Sequence, residues 1–121
     1  MARDARGDLA ALRASLQMLA APSAQQRRHA GTLRAAARLH FEANGTLEAP
    51  RLVATLAHEG RLSDHTLAAI EQVDTAVFEL HGARGAAAFT PTAMDEDPRW
   101  EALRALARRA LRCLDAREPA G

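Results

Sequence analysis

The sequence predicts an all-α protein, a single-domain bundle of four to five mostly antiparallel helices. Ala, Leu and Arg contribute 30, 16 and 16 of the 121 residues, and all three favour helices. Val and Ile together contribute only four residues and Tyr is absent, so the residues that favour strands are scarce. The length fits one domain spanning residues 1–121, with an ordered core over about 8–117. The net charge of +1 argues against a disordered chain.

Two helices are predicted in the first third of the chain. The first follows Asp8 as N-cap and ends at Pro22. The second begins at Ser23, where Ser23 and Gln26 have the spacing of a capping box, and runs to about Ala43. Asn44 and Gly45 then supply residues that tolerate a left-handed conformation and end the helix.

Three further segments complete the predicted bundle. A short third helix starts at Pro50 and ends at Gly60, and a fourth is capped by Ser63 and ends at Gly82. Residues 82–96 show no periodicity and are predicted to form a long loop, held to the bundle by Phe89 and Met94. Asp97 and Pro98 start the last helix, which runs to about residue 117.

The first helix carries a narrow stripe of leucines. Leu9, Leu12, Leu16 and Leu19 follow one another at spacings of three, four and three residues. This spacing is typical of a coiled-coil seam, which predicts pairing with a second copy or another helix. The alternative is a seam inside the protein's own core.

Charge differs from helix to helix. Residues 23–45 and 98–121 each carry a net charge of +3, whereas residues 61–81 carry −3. Arginines recur at helical spacing in both basic segments, and a face formed by two such helices would bind carboxylates or phosphates. The predicted partner-binding residues are the arginines of these segments: Arg27, Arg34, Arg38, Arg104, Arg108 and Arg112. The alternative is a solvated surface in which acidic and basic helices offset each other.

Residues 56–70 resemble the helix-turn-helix unit of transcription regulators. Ala57, Leu62, Ser63, Thr66 and Leu67 match the small, apolar, capping and Thr-aliphatic positions of that unit, although the turn glycine falls one place early. The resemblance implies DNA reading by the exposed side of the second helix, at Asp64, His65, Ala68 and Ala69. The net charge of −3 on that helix opposes binding to phosphates.

No motif in the sequence points to an enzyme, a metal or a cofactor. The five histidines form no pair at the spacing of helical metal ligands. The single Cys113 falls on an apolar stripe, where cysteine acts as a small hydrophobe. We therefore expect no catalytic residue, no bound metal and no cofactor.

The beginning of the sequence and its hydropathy bear on location. Residues 1–8 mix both charges and lead into no long apolar stretch, and arginines interrupt every Ala-rich segment. The excess of Arg over Lys is typical of a GC-rich genome. These observations predict a bacterial, cytoplasmic protein with no membrane-spanning segment.

The function that the sequence favours is a small non-enzymatic interaction protein, of the adaptor, chaperone or toxin-neutralising type. Its expected partner is a protein with an acidic surface, bound through an exposed helix face, and a second copy of the chain is an alternative partner. The alternative function is a nucleic-acid-binding regulator of the helix-turn-helix type.

Overall fold

The computed structural model describes residues 5–41, 60 and 62–117. About 91% of these residues are helical, with no strand among them. In chain order the elements are α1 (Ala5–Ala20), α2 (Ser23–Arg28), α3 (Ala30–Phe41), α4 (Asp64–Arg84), a 3-10 helix (Gly85–Phe89), α5 (Pro91–Glu96) and α6 (Pro98–Arg117). The predicted all-α bundle is thus confirmed.

The four long helices form a closed ring. Helix α6 packs against α1 and α4, and α3 packs against the same two helices on the opposite side. Helices α3 and α6 therefore lie diagonally opposite each other in the ring. The short elements α2 and α5 pack on each other at one end of this ring.

Contacts along α6 fix the direction of its neighbours. Arg13 of α1 pairs with Asp115, and Arg108 lies against the Ala20 carbonyl, so the residue order in α1 and α6 is opposite. Helix α4 runs the same way as α1, because Thr66 contacts Cys113 while Gln72 contacts Arg109. Helix α6 is thus antiparallel to both neighbours.

The core is built from leucine and alanine. Trp100 is its largest side chain, and buried alanines on α3, α4 and α6 let these helices approach closely. The leucines of α1, Leu33 and Leu103 fill the centre of the ring. Within the described part of the chain, no helix combines the length and the apolar character that crossing a bilayer requires.

Several predicted boundaries agree with the structure. The Ser63 hydroxyl accepts the Thr66 amide at 3.1 Å and caps α4. Asp97 precedes α6, and its carboxylate accepts the Arg99 amide at 2.9 Å. Gly60, where the third predicted helix ends, has a φ of 71°, but that helix lies outside the described residues.

The first two predicted helices need correction. Helix α1 begins at Ala5, so Asp8 lies inside it and does not cap it. The second predicted helix is two helices, α2 and α3, which are separated at His29. Ser23 forms no capping box, because Gln26 is buried and binds carbonyl groups of α1 instead.

The predicted loop over residues 82–96 is wrong. Helix α4 continues to Arg84 and ends at Gly85, whose φ of 58° favours glycine. The 3-10 helix and α5 then fill most of the segment, and Thr90 caps α5 by accepting the Ala93 amide. Phe89 and Met94 do pack on the core, as expected.

Candidate functional site: the outward face of α4 and α6

The six predicted partner-binding arginines do not form one surface. Arg34 and Arg38 lie on α3, whereas Arg104, Arg108 and Arg112 lie on α6, diagonally across the bundle. Arg34 lies over the ring of Phe89, 5.8 Å from its centroid, and so faces the 3-10 helix. Arg108 turns the other way, toward α1. The two arginine rows therefore point to different sides of the molecule.

Arg104 is an internal residue. Its Nε donates to Gln26 Oε1 at 2.9 Å, and a second guanidinium nitrogen donates to the Met94 carbonyl. The guanidinium also lies 5.6 Å from the centroid of the Trp100 ring. Burial is the main cause that lowers the pKa of Arg104, and the nearby Arg108 charge acts in the same direction. The prediction that Arg104 faces a partner requires correction, because only 9% of the residue is exposed.

The other arginines on the predicted face remain exposed. Arg27 pairs with Asp95 at 2.6 Å, which ties α2 to α5. Arg108 donates to the Ala20 carbonyl at 3.3 Å, at the end of α1. Arg112 forms no hydrogen bond or ion pair with any residue that the structure describes.

The leucine stripe of α1 is covered by the protein's own helices. Leu12, Leu16 and Leu19 have no exposed surface, and Leu9 is 7% exposed. Helices α3 and α6 pack against α1 from both sides. The stripe is thus an internal seam and offers no leucine to a second copy, which corrects the predicted oligomer seam.

A different surface, the outward face of α4 and α6, combines apolar and charged groups. A shallow groove runs between these two helices, and Ala76 and Leu106 form its half-buried floor. The α4 side is lined by exposed residues, which are Ala68, Glu71, Gln72, Thr75 and Glu79. We call this surface, together with Arg109 and Arg112 of α6, the α4–α6 face.

The charges of the α4–α6 face do not neutralise one another. Glu71 and Glu79 are exposed and make no hydrogen bond or ion pair within the described part of the chain. Arg109 donates to the neutral amide of Gln72 at 3.2 Å. A row of acidic residues of α4 thus lines the groove, Arg109 reaches its edge at Gln72, and Arg112 is the next exposed arginine along α6.

Four residues of this face, Glu71, Glu79, Arg109 and Leu106, are not among those predicted from the sequence to bind a partner. The excess negative charge of residues 61–81 was the only signal that pointed to this helix. The helical repeat places Ala68, Glu71, Thr75 and Glu79 on the side of α4 that lies opposite its buried residues. Which neighbouring helix completes the face is set by the packing of α4 on α6.

The residues of the helix-turn-helix resemblance have mixed positions. Thr66 is buried, and its hydroxyl lies 3.3 Å from the Cys113 carbonyl. Ala69 is also buried, so it cannot reach a base edge, while Asp64, His65 and Ala68 are exposed. The first helix of the resemblance lies outside the described residues.

Metal-binding side chains do not gather in the described residues, where no group of three His, Cys, Asp or Glu side chains could hold an ion. Cys113 is a half-buried free thiol beside the α4–α6 contact.

A comparison with known proteins found no matching family, no similar curated protein and no similar solved structure.

Proposed function

We propose that the protein is a small non-enzymatic interaction protein that binds a protein partner through the α4–α6 face. The observation that carries this proposal is an apolar groove floor with unpaired glutamates along its α4 side and exposed arginines on α6. Exposed charges that find no partner within their own chain are available to a complementary surface, where they set specificity and association rate. The half-buried Leu106 and Ala76 offer apolar contact area between them.

The partner's chemistry follows from these two sets of charges. Acidic groups on the partner would meet Arg109 and Arg112, and basic groups would meet Glu71 and Glu79. An apolar side chain between them would cover Leu106. A helix with this pattern fits best, because a groove between two helices accepts a third helix along its length.

The proposal keeps the acidic partner surface expected from the sequence but changes the residues that contact it. Arg112 remains a contact residue, and Arg109 is added. Arg104 is removed because it binds Gln26 and Met94 inside the protein. Arg34 and Arg38 are removed because α3 lies on the other side of the bundle.

The test is affinity capture by the tagged protein from a lysate of the organism that encodes it, with nuclease-treated and untreated samples run side by side. The wild type and the variant Arg109→Glu/Arg112→Glu are compared, and captured proteins are identified by mass spectrometry. The matched control is Arg28→Glu/Arg34→Glu, which makes the same charge change at exposed residues outside the face.

We expect the wild type and the control to capture the same protein and the face variant to lose it. Equal capture by all three proteins would contradict the proposal. Capture that disappears after nuclease treatment would instead favour the nucleic-acid-binding alternative, whose phosphate contacts make binding strongly salt-dependent.

A further inference from the structure

The α4–α6 face is complementary in charge to a copy of itself. We propose that its partner is a second copy of this chain, related by a two-fold axis that runs along the groove. In this arrangement α4 of one copy lies against α6 of the other, and the reverse contact forms at the same time. The inference rests on the proposed function, since both assign the contact surface to the same face.

The register of the two helices brings opposite charges to the same level. Gln72 of α4 contacts Arg109 of α6, and Thr66 contacts Cys113. These two contacts fix which residues of the antiparallel helices lie at the same height along the groove. Glu71 is therefore level with the turn that carries Arg109 and Arg112. A rotation about the groove axis preserves these levels, so Glu71 of each copy meets the two arginines of the other copy.

The second acidic residue of the row also finds a basic counterpart. Glu79 lies two turns beyond Glu71, toward the start of α6. The Arg99 side chain is exposed near this level, and its guanidinium lies 3.5 Å from the Asp97 carboxylate. Each copy then contributes both glutamates and three arginines to the contact.

The charges select this arrangement over the other two-fold pairing of the same face. An axis across the groove would place α4 against α4 and α6 against α6. The acidic row of one copy would then face the acidic row of the other, and arginines would face arginines, which is repulsive. The net charge of +1 for the whole chain imposes little repulsion between two copies at longer range.

The groove floor permits close contact between the copies. Ala68 and Thr75 are small and exposed on α4, and Leu106 is half-buried between the helices. Small side chains at these positions let the helix of the second copy approach, so that Leu106 is covered from outside. The contact combines apolar burial with charge pairs that salt weakens.

The test uses charge swaps and sedimentation equilibrium of the purified full chain. The wild type is expected to form a dimer that dissociates as the salt concentration rises. Glu71→Arg/Glu79→Arg makes the face wholly basic, and Arg109→Glu/Arg112→Glu removes its main basic groups and makes it acidic. Each variant alone is expected to be monomeric, because like charges then face each other.

An equimolar mixture of the two variants is expected to restore the dimer, since a basic face then meets an acidic face. A chain with all four substitutions, which exchanges the two sets of charges, is expected to dimerise on its own. Circular dichroism of each variant checks that the helices remain, and Arg28→Glu/Arg34→Glu serves as the charge control.

A wild type that stays monomeric at every concentration up to its solubility limit would overturn the inference. So would a dimer that persists in both separate variants, because the contact would then lie elsewhere. If the wild type is monomeric but lysate capture of another protein still depends on Arg109 and Arg112, the self-association fails and the proposed function stands. If neither result depends on the face, both proposals fail.

Discussion

Polar side chains are buried at one end of α6 and exposed at the other. Near its start, Arg104 and Gln26 are buried, and they hydrogen-bond to each other and to carbonyls of α1 and α5. Farther along, Arg109 and Arg112 are exposed and form no ion pair with a described residue, and Arg109 contacts only the neutral Gln72. Arginines one or two turns apart on one helix therefore have different physical tasks.

The buried end shows how a small core gains specificity from polar contacts. Gln26 donates to the carbonyls of Met18 (3.1 Å) and Leu19 (3.0 Å) in the last turn of α1, where the Met18 carbonyl also accepts the Ala21 amide. The Gln26 side-chain amide also accepts from Arg104, so one side chain joins α1, α2 and α6. Buried polar groups must be paired, and their geometry allows few alternatives.

The exposed face teaches the complementary lesson. Water solvates Glu71 and Arg112, so leaving them unpaired costs the fold little. Such residues can change without loss of the fold, and they are available for contacts with another molecule. The buried polar contacts and the proposed binding surface thus lie on different parts of the same helix.

The largest expected effect is on stability at the buried end. Trp100 has no exposed surface, donates to the Ala88 carbonyl at 2.6 Å and packs edge-on against Phe89. Trp100→Ala should lower the free energy of unfolding by about 3–5 kcal/mol, since it removes the largest core side chain. Urea unfolding followed by circular dichroism measures the change, and a loss of less than about 1 kcal/mol would contradict this account.

A matched pair of arginine variants sharpens the comparison. Arg104→Met should lower the free energy of unfolding by about 1–3 kcal/mol, because Gln26 and the Met94 carbonyl lose a buried donor. Arg108→Met, one turn along, should change it by less than about 0.5 kcal/mol, since that residue is exposed. Equal losses in the two variants would mean that burial does not distinguish the two positions.

The carboxyl group of Asp97 should make the stability of the fold depend on pH in the acid range. The bond from the Arg99 amide is the main cause that lowers the pKa of its carboxyl below the ordinary 3.8, and Arg84 acts in the same direction. A lowered pKa in the folded state means that the carboxylate stabilises the fold above pH 3.8. That contribution is lost as the pH falls through the folded-state value.

Asp97→Asn removes the charge but keeps an oxygen for the Arg99 amide. The variant should be less stable than the wild type at pH 7, and the two stabilities should converge as the pH falls below 3.8. Urea unfolding over a pH series measures both curves. A constant difference between them would show that the charge of Asp97 does not act through this titration.

The smallest expected effect on stability lies at the α4–α6 face. Glu71→Arg/Glu79→Arg should change the free energy of unfolding by no more than about 0.5 kcal/mol, because both residues are exposed and Arg favours helices as much as Glu does. Thermal and urea unfolding measure this change. A large loss would make the face part of the folding core and erase the contrast with the buried end.

Local signals were sufficient where a cap precedes a strong apolar repeat. Ser63 before α4 and Asp97–Pro98 before α6 were predicted from residue type alone, and both caps are present. A cap acts within one helical turn, so neighbouring residues determine it. The same local reasoning could not find the break at His29, where neither Gly nor Pro marks the end of α2.

Residues 85–96 show why local signals fail elsewhere. Gly-Ala-Ala-Ala-Phe has no apolar periodicity, and yet it forms a 3-10 helix because Ala88 is buried and its carbonyl accepts the Trp100 indole. Met94 similarly anchors α5, and its carbonyl accepts from Arg104. These contacts come from α6, so the segment alone does not contain the information.

The sequence by itself determined the helical class, the single leucine stripe of α1 and the opposite charges of α4 and α6. Composition and helical spacing act over a few residues, and they do not depend on how helices meet. Only the tertiary structure decided that the leucine stripe is internal, that Arg104 is buried, and that α4 and α6 share an outward face. Each of these depends on which helices are neighbours in the ring, and that choice is made by packing between residues far apart in the chain.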